Sequence, residues 1–560
     1  MTFFTRFYNK DGAPPEIFNL TLMYCVFIFG TLLGSARGYD EGYIGGIVTK
    51  NAFEETFGLG DPNKTAEQLA NLKSNITSMV QLGSIGGCLM AMYNVDKFGR
   101  IRTLQGVCVG WAVGAIIQIT STSVGQLYAG RIIEGFAMGH TAALGPCYLA
   151  EISPKSIRGL CGCMYAAAVY LGSFLANFIN YGCALHMPVN SRKQWIVPTA
   201  IKILVAGLLF MGSWFCPESP RWLVKEGKIQ KSQSTLSKIR HLPTDHPYIL
   251  SEVNDVREQL DAEMKATGEV SKWDVVKELV LVSSIRYRLL LSLSAQVLGQ
   301  WSMAGSITVY MPELVALVGV RGTEKLLYSS ILGVVKFTSS LISAFFIIDL
   351  LGRKKALYIG ITIQLLSTLY FAIFLEIVPN ATQDDYVMTS SEKHAGVGAL
   401  AMLYIAGVGW TMGWNSIQYL ISSEMLPLRV RNVGSALIMA FHFCNQYGNT
   451  KAIPTMLLNL TSAGTFFFAV GILVIGLFWS WFFLPNIAGR SLESMEEVFS
   501  LPWYLIGRRG AELCSDYSGV AHVNEAQAGQ LEIKTEQEFV ETASSSSNVE
   551  EINDLEKTSK

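Results

Sequence analysis

Residues 464–484 read GTFFFAVGILVIGLFWSWFFL, without one charged side chain. An apolar run of roughly 20 residues is long enough to cross the hydrocarbon of a bilayer as a single helix. Twelve such stretches follow one another along the chain, at about 20–46, 74–95, 103–122, 126–149, 161–183, 195–216, 288–313, 326–348, 356–378, 396–423, 433–456 and 464–484. Backbone sits in lipid only when its polar groups are bonded within a helix or around a closed barrel. Barrel strands of about 10 residues with alternating polarity do not match these runs. The expected fold class is an all-α membrane protein with twelve transmembrane helices in two sets of six.

Composition agrees. Hydrophobic residues make up 50% of the chain, charged residues only 16%, and mean hydropathy is +0.33. A soluble protein carries about a quarter charged residues. The formal net charge of −1 gives no reason to expect nucleic acid as a partner. Most cysteines fall inside expected spans, where they act as small apolar residues. Cys161-Gly-Cys163 has no second pair at zinc spacing, so no metal or other cofactor is expected. HExxH, GxSxG and P-loop patterns are absent, which argues against an enzyme.

Five regions are expected: a cytoplasmic leader (1–19), a six-helix bundle (20–216), a cytoplasmic helical linker (217–287), a second bundle (288–485) and a largely disordered cytoplasmic tail (486–560). The leader has mixed charge and the first run is too long for a cleavable signal, so that run stays as a span. Residues 249–264 of the linker read as an amphipathic helix; a solvated connector fits them equally. Lys97, Arg100, Arg102, Lys155, Arg158, Arg353, Lys354, Lys355, Arg429 and Arg431 fall in loops of one side, expected to be cytoplasmic. The other side carries Glu54, Glu55, Asp61, Asp384 and Asp385, with glycosylation acceptors at Asn63-Lys-Thr65 and Asn380-Ala-Thr382. Both termini are then cytoplasmic.

The halves repeat one another. Asp96-Lys-Phe-Gly99-Arg100-Ile-Arg102 follows the second run, and Asp349-Leu-Leu-Gly-Arg353-Lys-Lys355 follows the eighth. Glu151 with Arg158 after the fourth run matches Glu424 with Arg431 after the tenth. Such repeats mark carriers whose halves rock about a central site. Charges at helix mouths then serve as a gate, closing one face of the membrane and separating when it opens. Ordinary positive-inside loop charge is the competing reading, which recurrence in both halves weakens.

These residues resemble the sugar porter family of the major facilitator superfamily over roughly residues 20–500. Further matching signatures are Gly38-Tyr-Asp-Glu-Gly42, Gly130-Arg-Ile-Ile-Glu-Gly135, Pro217-Glu-Ser-Pro-Arg-Trp222 and Pro485-Asn-Ile-Ala-Gly-Arg-Ser-Leu-Glu493. Arg192-Lys-Gln-Trp-Ile-Val-Pro198, and Ile239 through Tyr248, look like the fungal branch of quinate, hexose and lactose permeases. The resemblance implies two pseudo-symmetric six-helix bundles and a plasma-membrane carbohydrate carrier, commonly proton-coupled. It adds Gly99, Glu218 and Arg221 to the cytoplasmic gate. Expected partners are a small sugar, polyol or polyhydroxy acid, protons and the lipid bilayer.

An ionised side chain inside a span is costly and marks function by default. Asp40 is the candidate proton carrier and Arg131 its expected ionic partner, as in proton-coupled members of the family; Glu41 and Glu134 stand next in order, and a static pair is the bland alternative. Gln296 and Gln300, four residues apart, share a helix face. With Tyr310, Asn415, Tyr419, His442 and Gln446 they are the candidate substrate contacts. The family's usual contacts are not all present: Gly299 replaces a glutamine, Gly305 an asparagine, Ala166 a glutamine, and His442-Phe443 stands for Asn-Trp. Lys336, mid-span, suits a carboxylate substrate such as quinate or a sugar acid; pairing with a nearby carbonyl and snorkelling toward an interface are the bland readings. A passive facilitator and a transporter-like nutrient sensor are the alternative functions. The topology has a direct check: Arg102→Cys and Asn380→Cys should react with an impermeant thiol reagent from opposite faces of the membrane, and labelling from one face would overturn the two-sided arrangement.

Overall fold

The computed structural model describes residues 14–154, 157–267, 272–347, 352–379, 386, 388–415, 418, 425–485, 499 and 506. Asp349, Tyr419, Glu424, Asn380 and nearly all of the expected tail lie outside the described residues. All regular structure among the described residues is helical. Among the described residues, nine helices are long and apolar enough to cross a membrane: span 1 (Leu20–Ile47), span 2 (Ala66–Phe98), span 3 (Arg100–Ile119), span 5 (Arg158–His186), span 6 (Lys193–Ser213), span 8 (Glu324–Phe346), span 9 (Arg353–Ile377), span 10 (Ser390–Met412) and span 12 (Thr461–Phe482). Span 4 (Val124–Ile152) and span 11 (Leu428–Asn459) are as long but carry more polar groups, Arg131 and Glu134 in one, His442, Gln446 and Asn449 in the other. Span 7 is broken into 7a (Ser283–Trp301) and 7b (Ala304–Leu317). The order accords with the expected twelve.

Lipid is as apolar as leucine, so burial of apolar surface does not drive helices together in a membrane; close packing of small residues does. Span 1 shows this along its length. Gly34, Gly38, Gly42 and Gly46 form one stripe against span 5. A Cβ at Gly42 would lie 2.6 Å from the Ser173 hydroxyl, one at Gly46 would lie 2.6 Å from the Asn180 amide, and one at Gly38 would overlap the Val169 carbonyl. Spans 2 and 4 interlock the same way through Gly83, Gly87, Gly135 and Gly139, and spans 9 and 10 through Gly360 and Gly409. Large apolar side chains such as Leu204, Trp214, Ile377 and Phe478 face outward instead.

The halves meet on two long seams, span 2 along span 11 and span 5 along span 8, with span 7b against span 1. Between them run helices Pro220–Lys225, Ile229–Arg240, Pro247–Thr267 and Lys272–Leu281. Arg240, fully buried, holds this segment to the end of span 4: it pairs with Glu252 (2.6 and 3.1 Å) and donates to the Ile152 carbonyl (2.8 Å). Glu278 pairs with Arg429 at the start of span 11 (3.0 Å). Because the Gly38 contact leaves no room for a methyl group, Gly38→Ala should lower the thermal midpoint of the detergent-purified protein sharply, as overpacking costs about 1–3 kcal/mol or more. Gly182→Ala, where a Cβ meets nothing within 4 Å, should not lower it.

Candidate functional site

Span 1 brings Asp40 into the centre of the first bundle, between Gly38 and Gly42, and buries it. Its ionic partner is Lys202 of span 6, 3.3 Å from Oδ1, and not the expected Arg131. The Lys202 ammonium also lies 2.6 Å from Glu134 Oε1 and 2.8 Å from Oε2, and 3.8 Å from the centre of the Tyr43 ring. Glu134 is further held by the Trp111 indole (3.0 Å) and the Gln118 amide (2.5 Å). Arg131 donates to the Tyr43 hydroxyl (2.8 Å) and the Thr77 carbonyl (3.2 Å), and Tyr43 donates onward to Gln118 (2.8 Å). One hydrogen-bonded chain therefore runs from Arg131 through Tyr43, Gln118, Glu134 and Lys202 to Asp40, with the two expected partners at its opposite ends. Asp40 Oδ2 and Arg131 Nε are buried without a hydrogen-bond partner. Glu41 belongs elsewhere: it pairs with Arg37 one turn earlier (3.3 Å), whose guanidinium lies over Phe443 of span 11 (5.6 Å).

The second bundle gathers neutral amides. Gln296 and Gln300 end span 7a on one face, and both meet His442 of span 11: Nδ1 lies 2.8 Å from Gln296 Oε1 and 3.3 Å from Gln300 Nε2. A proton on Nδ1 satisfies the first contact and rules the second out as a hydrogen bond, since both nitrogens would then be donors. Gln296 Nε2 donates to the Gln418 carbonyl (3.2 Å), and the Asn449 amide donates to the Gln300 carbonyl. A Cβ at Gly299 would lie 3.1 Å from the Gln418 amide oxygen, so the missing glutamine leaves space that Gln418 uses. Asn415 accepts from Tyr170 of span 5 (2.9 Å), while its Nδ2 and Gln446 Oε1 are buried without a partner.

The single apolar run at 288–313 predicts one helix for span 7. Met303, buried at φ 66°, turns the chain left-handed and separates 7a from 7b. Such a conformation is uncommon for a residue with a side chain. Lys336 of span 8 braces the break. Its ammonium donates to the Ala304 carbonyl (3.1 Å) and the Thr308 hydroxyl (2.5 Å), the two first turns of 7b. The contact observed for Lys336 is thus the carbonyl pairing, with the Tyr170 ring 5.8 Å away. Farther along 7b, Tyr310 donates to the Thr450 carbonyl (2.8 Å) and shares a hydrogen bond with Thr77 of span 2 (2.8 Å). Lys73 and Glu313 add an ion pair between the halves at 2.9 Å. Nearby, burial holds the Glu54 carboxyl above its usual range and pushes the Lys50 ammonium, bonded to the Asn180 carbonyl (3.1 Å), down to about 8.

The opposite mouth carries the repeated motif. Arg100 grips Glu151 with two bonds (2.6 and 2.8 Å), both side chains under a tenth exposed, and Asp96 lies 3.8 Å away. Glu218 caps span 3, its carboxylate accepting from the Arg100 and Ile101 amides (2.8 and 3.2 Å). A carboxylate there satisfies orphan amides and complements the helix dipole. Gly99 and Gly352, at φ 87° and 77°, make the left-handed turn into spans 3 and 9. Glu151 pairs with Arg100 rather than Arg158, which makes no ion pair among the described residues. Arg221 opens the Pro220–Lys225 helix, Arg353 opens span 9, and Arg431 donates to the Leu426 carbonyl (3.2 Å). Lys202, Arg37 and Gln118 were not expected; the rule that singled out Asp40, a charge inside a span, applies equally to the first two.

Residues 26–499 match the family described as "Sugar (and other) transporter". Relatives include the MFS-type transporter qa-x of Neurospora crassa, 29% identical over 87% of this chain and 90% of that protein. A quinate permease of Neurospora terricola is 28% identical over the same shares, and a probable quinate permease of Neosartorya fischeri is 29% identical over 87% and 89%. The proton:xylose symporter XylE bound to 6-bromo-6-deoxy-D-glucose shares the fold, with a TM-score of 0.70 at 21% identity over 86% of this chain and 99% of XylE. An inward-open XylE from E. coli gives 0.65 at 22% identity, over 85% and 99%. Removing one member of a buried ion pair costs about 3–5 kcal/mol. Glu151→Ala should therefore lower the thermal midpoint far more than Asp96→Ala, whose side chain is half exposed, and equal shifts would count against the Arg100 grip.

Proposed function

The chain belongs to the sugar (and other) transporter family, whose members are multi-pass membrane carriers, and from that premise we propose that it takes up a sugar or related polyhydroxy compound together with a proton. The membrane is the plasma membrane, with both termini cytoplasmic. The observation that carries the proton is Asp40, a carboxylate buried in the first bundle with one oxygen unpartnered. The substrate lies between the halves, where Gln296, Gln300, His442 and Asn415 offer amide and imidazole groups to hydroxyls and Tyr170, Trp410 and Phe443 offer aromatic faces. Arg100, Glu151 and Glu218 brace one mouth, and Tyr310 with Lys73 and Glu313 closes the other. Substrate and proton then need only stabilise one conformation relative to the other.

A second reading is favoured by Lys336. A buried ammonium beside the amide cluster suits a carboxylate, and relatives named quinate permeases have polyhydroxy-acid cargo in their names. A bound acid would compete with Ala304 and Thr308 for that ammonium.

In cells expressing the protein, addition of the transported substrate should make the unbuffered medium more alkaline, and Asp40→Asn should abolish that signal while substrate still equilibrates. Substrate entry without alkalinisation would leave a passive facilitator. Among D-glucose, D-xylose and quinate, Lys336→Gln should reduce uptake of quinate selectively if the acid is cargo; equal quinate uptake in both proteins would remove the carboxylate reading.

A further inference from the structure

Lys202 has no part in the expected pairing of Asp40 with Arg131, yet the fold sets it in the middle of the charged cluster and on Asp40 itself. It lies in the apolar run Trp195-Ile-Val-Pro-Thr-Ala-Ile-Lys202-Ile-Leu-Val205 of span 6. A lysine at the centre of a membrane helix is costly, so it persists only where it is partnered. Its partners here are unequal. Glu134 offers both oxygens, at 2.6 and 2.8 Å, and Trp111 and Gln118 fix that carboxylate from two further sides. Asp40 offers one oxygen at 3.3 Å and leaves the other buried and unbonded. The remaining cation, Arg131, is occupied by the Tyr43 hydroxyl and the Thr77 carbonyl.

We propose that Lys202 is the positioning residue for proton exchange at Asp40. Its ammonium stays on Glu134 and the face of Tyr43, and holds the Asp40 carboxylate only while that carboxylate is charged. When a proton arrives, Asp40 becomes a neutral acid and the Asp40–Lys202 contact loses its attraction, so the ionic tie between spans 1 and 6 is released while Tyr39 on the Pro198 carbonyl and Tyr43 under the ammonium remain. When the proton leaves on the other side, the carboxylate returns to Lys202. One proton moves, and no other bond forms or breaks. The charged groups facing Asp40 are Lys202 from span 6 and Glu134 and Arg131 from span 4. Tyr39 and Tyr43 lie on its own helix, and Cys183 of span 5 faces Tyr39. Span 5 and span 7b otherwise meet this stretch through Ser173 and Val309, which do not titrate. This role rests on the proton-coupled reading above.

The test uses full-length protein in liposomes and whichever of labelled D-glucose, D-xylose and quinate the wild type accumulates under an inward proton gradient. Uptake is measured against external pH, beside counterflow without a gradient. An opposite charge within ~4–6 Å moves a carboxylate's titration by about one pH unit or more. Lys202→Gln removes the nearest compensation for the Asp40 charge, so its uptake midpoint should move up by about one pH unit, with accumulation falling more than counterflow. Lys202→Arg should recover accumulation. Glu134→Gln frees Lys202 for Asp40 alone, so its midpoint should move down, and it decides the matter if Lys202→Gln does not fold. Unmoved midpoints in the folded variants, or parallel loss of accumulation and counterflow without recovery by arginine, would overturn the role of Lys202. A wild type indifferent to the proton gradient would overturn the symport reading itself.

Discussion

Helices in hydrocarbon gain little from hiding apolar surface, and this protein is organised by what replaces that gain: backbone brought against backbone at glycine. The stripe from Gly34 to Gly46 lets span 1 press against span 5. Asp40 and Tyr43 sit between and beside these glycines, so the contact that seats the helix also aims its polar side chains at spans 4 and 6. Without it, Lys202 and Glu134 would face each other with no third group to share. The charged cluster is thus a product of helix packing rather than an addition to it.

The two bundles repeat at their mouths and differ in their interiors. Gly99 and Gly352 make the same left-handed turn before an arginine. Inside, the first bundle concentrates charge and the second concentrates neutral amides. That division suits a carrier in which the proton and the cargo are handled by different halves. A buried charge is tolerated only where opposite charges and hydrogen bonds meet it, as in the first bundle, and a hydroxyl-rich cargo is better met by groups that both donate and accept.

Much of this was legible in the chain. Apolar runs located the spans because lipid imposes their length, and the doubled motif located the mouth because charge cannot sit deeper at little cost. Pairing was less legible. Arg131 is the expected partner of Asp40 by resemblance, but which cation an acid meets depends on the rotation of three helices, and Lys202 comes from a different span from either. Lys202 and Arg37 could have been noticed as charges within apolar runs. The break in span 7 could not: Gly299, Ser302 and Gly305 flank it, yet the left-handed residue is Met303, which local preference disfavours there. The role of Lys336 was not legible either, since its contacts, the Ala304 carbonyl and the Thr308 hydroxyl, lie on the first turns of a helix whose start the sequence does not mark.

The interruption of span 7 has a mechanical meaning. A continuous helix resists bending through its ladder of backbone hydrogen bonds. Here 7b is joined to 7a through one left-handed residue, and its pose is held by an ammonium, a phenol and an ion pair. The placement of 7b is therefore written in side chains, so descent with modification can retune it without rebuilding the helices around it.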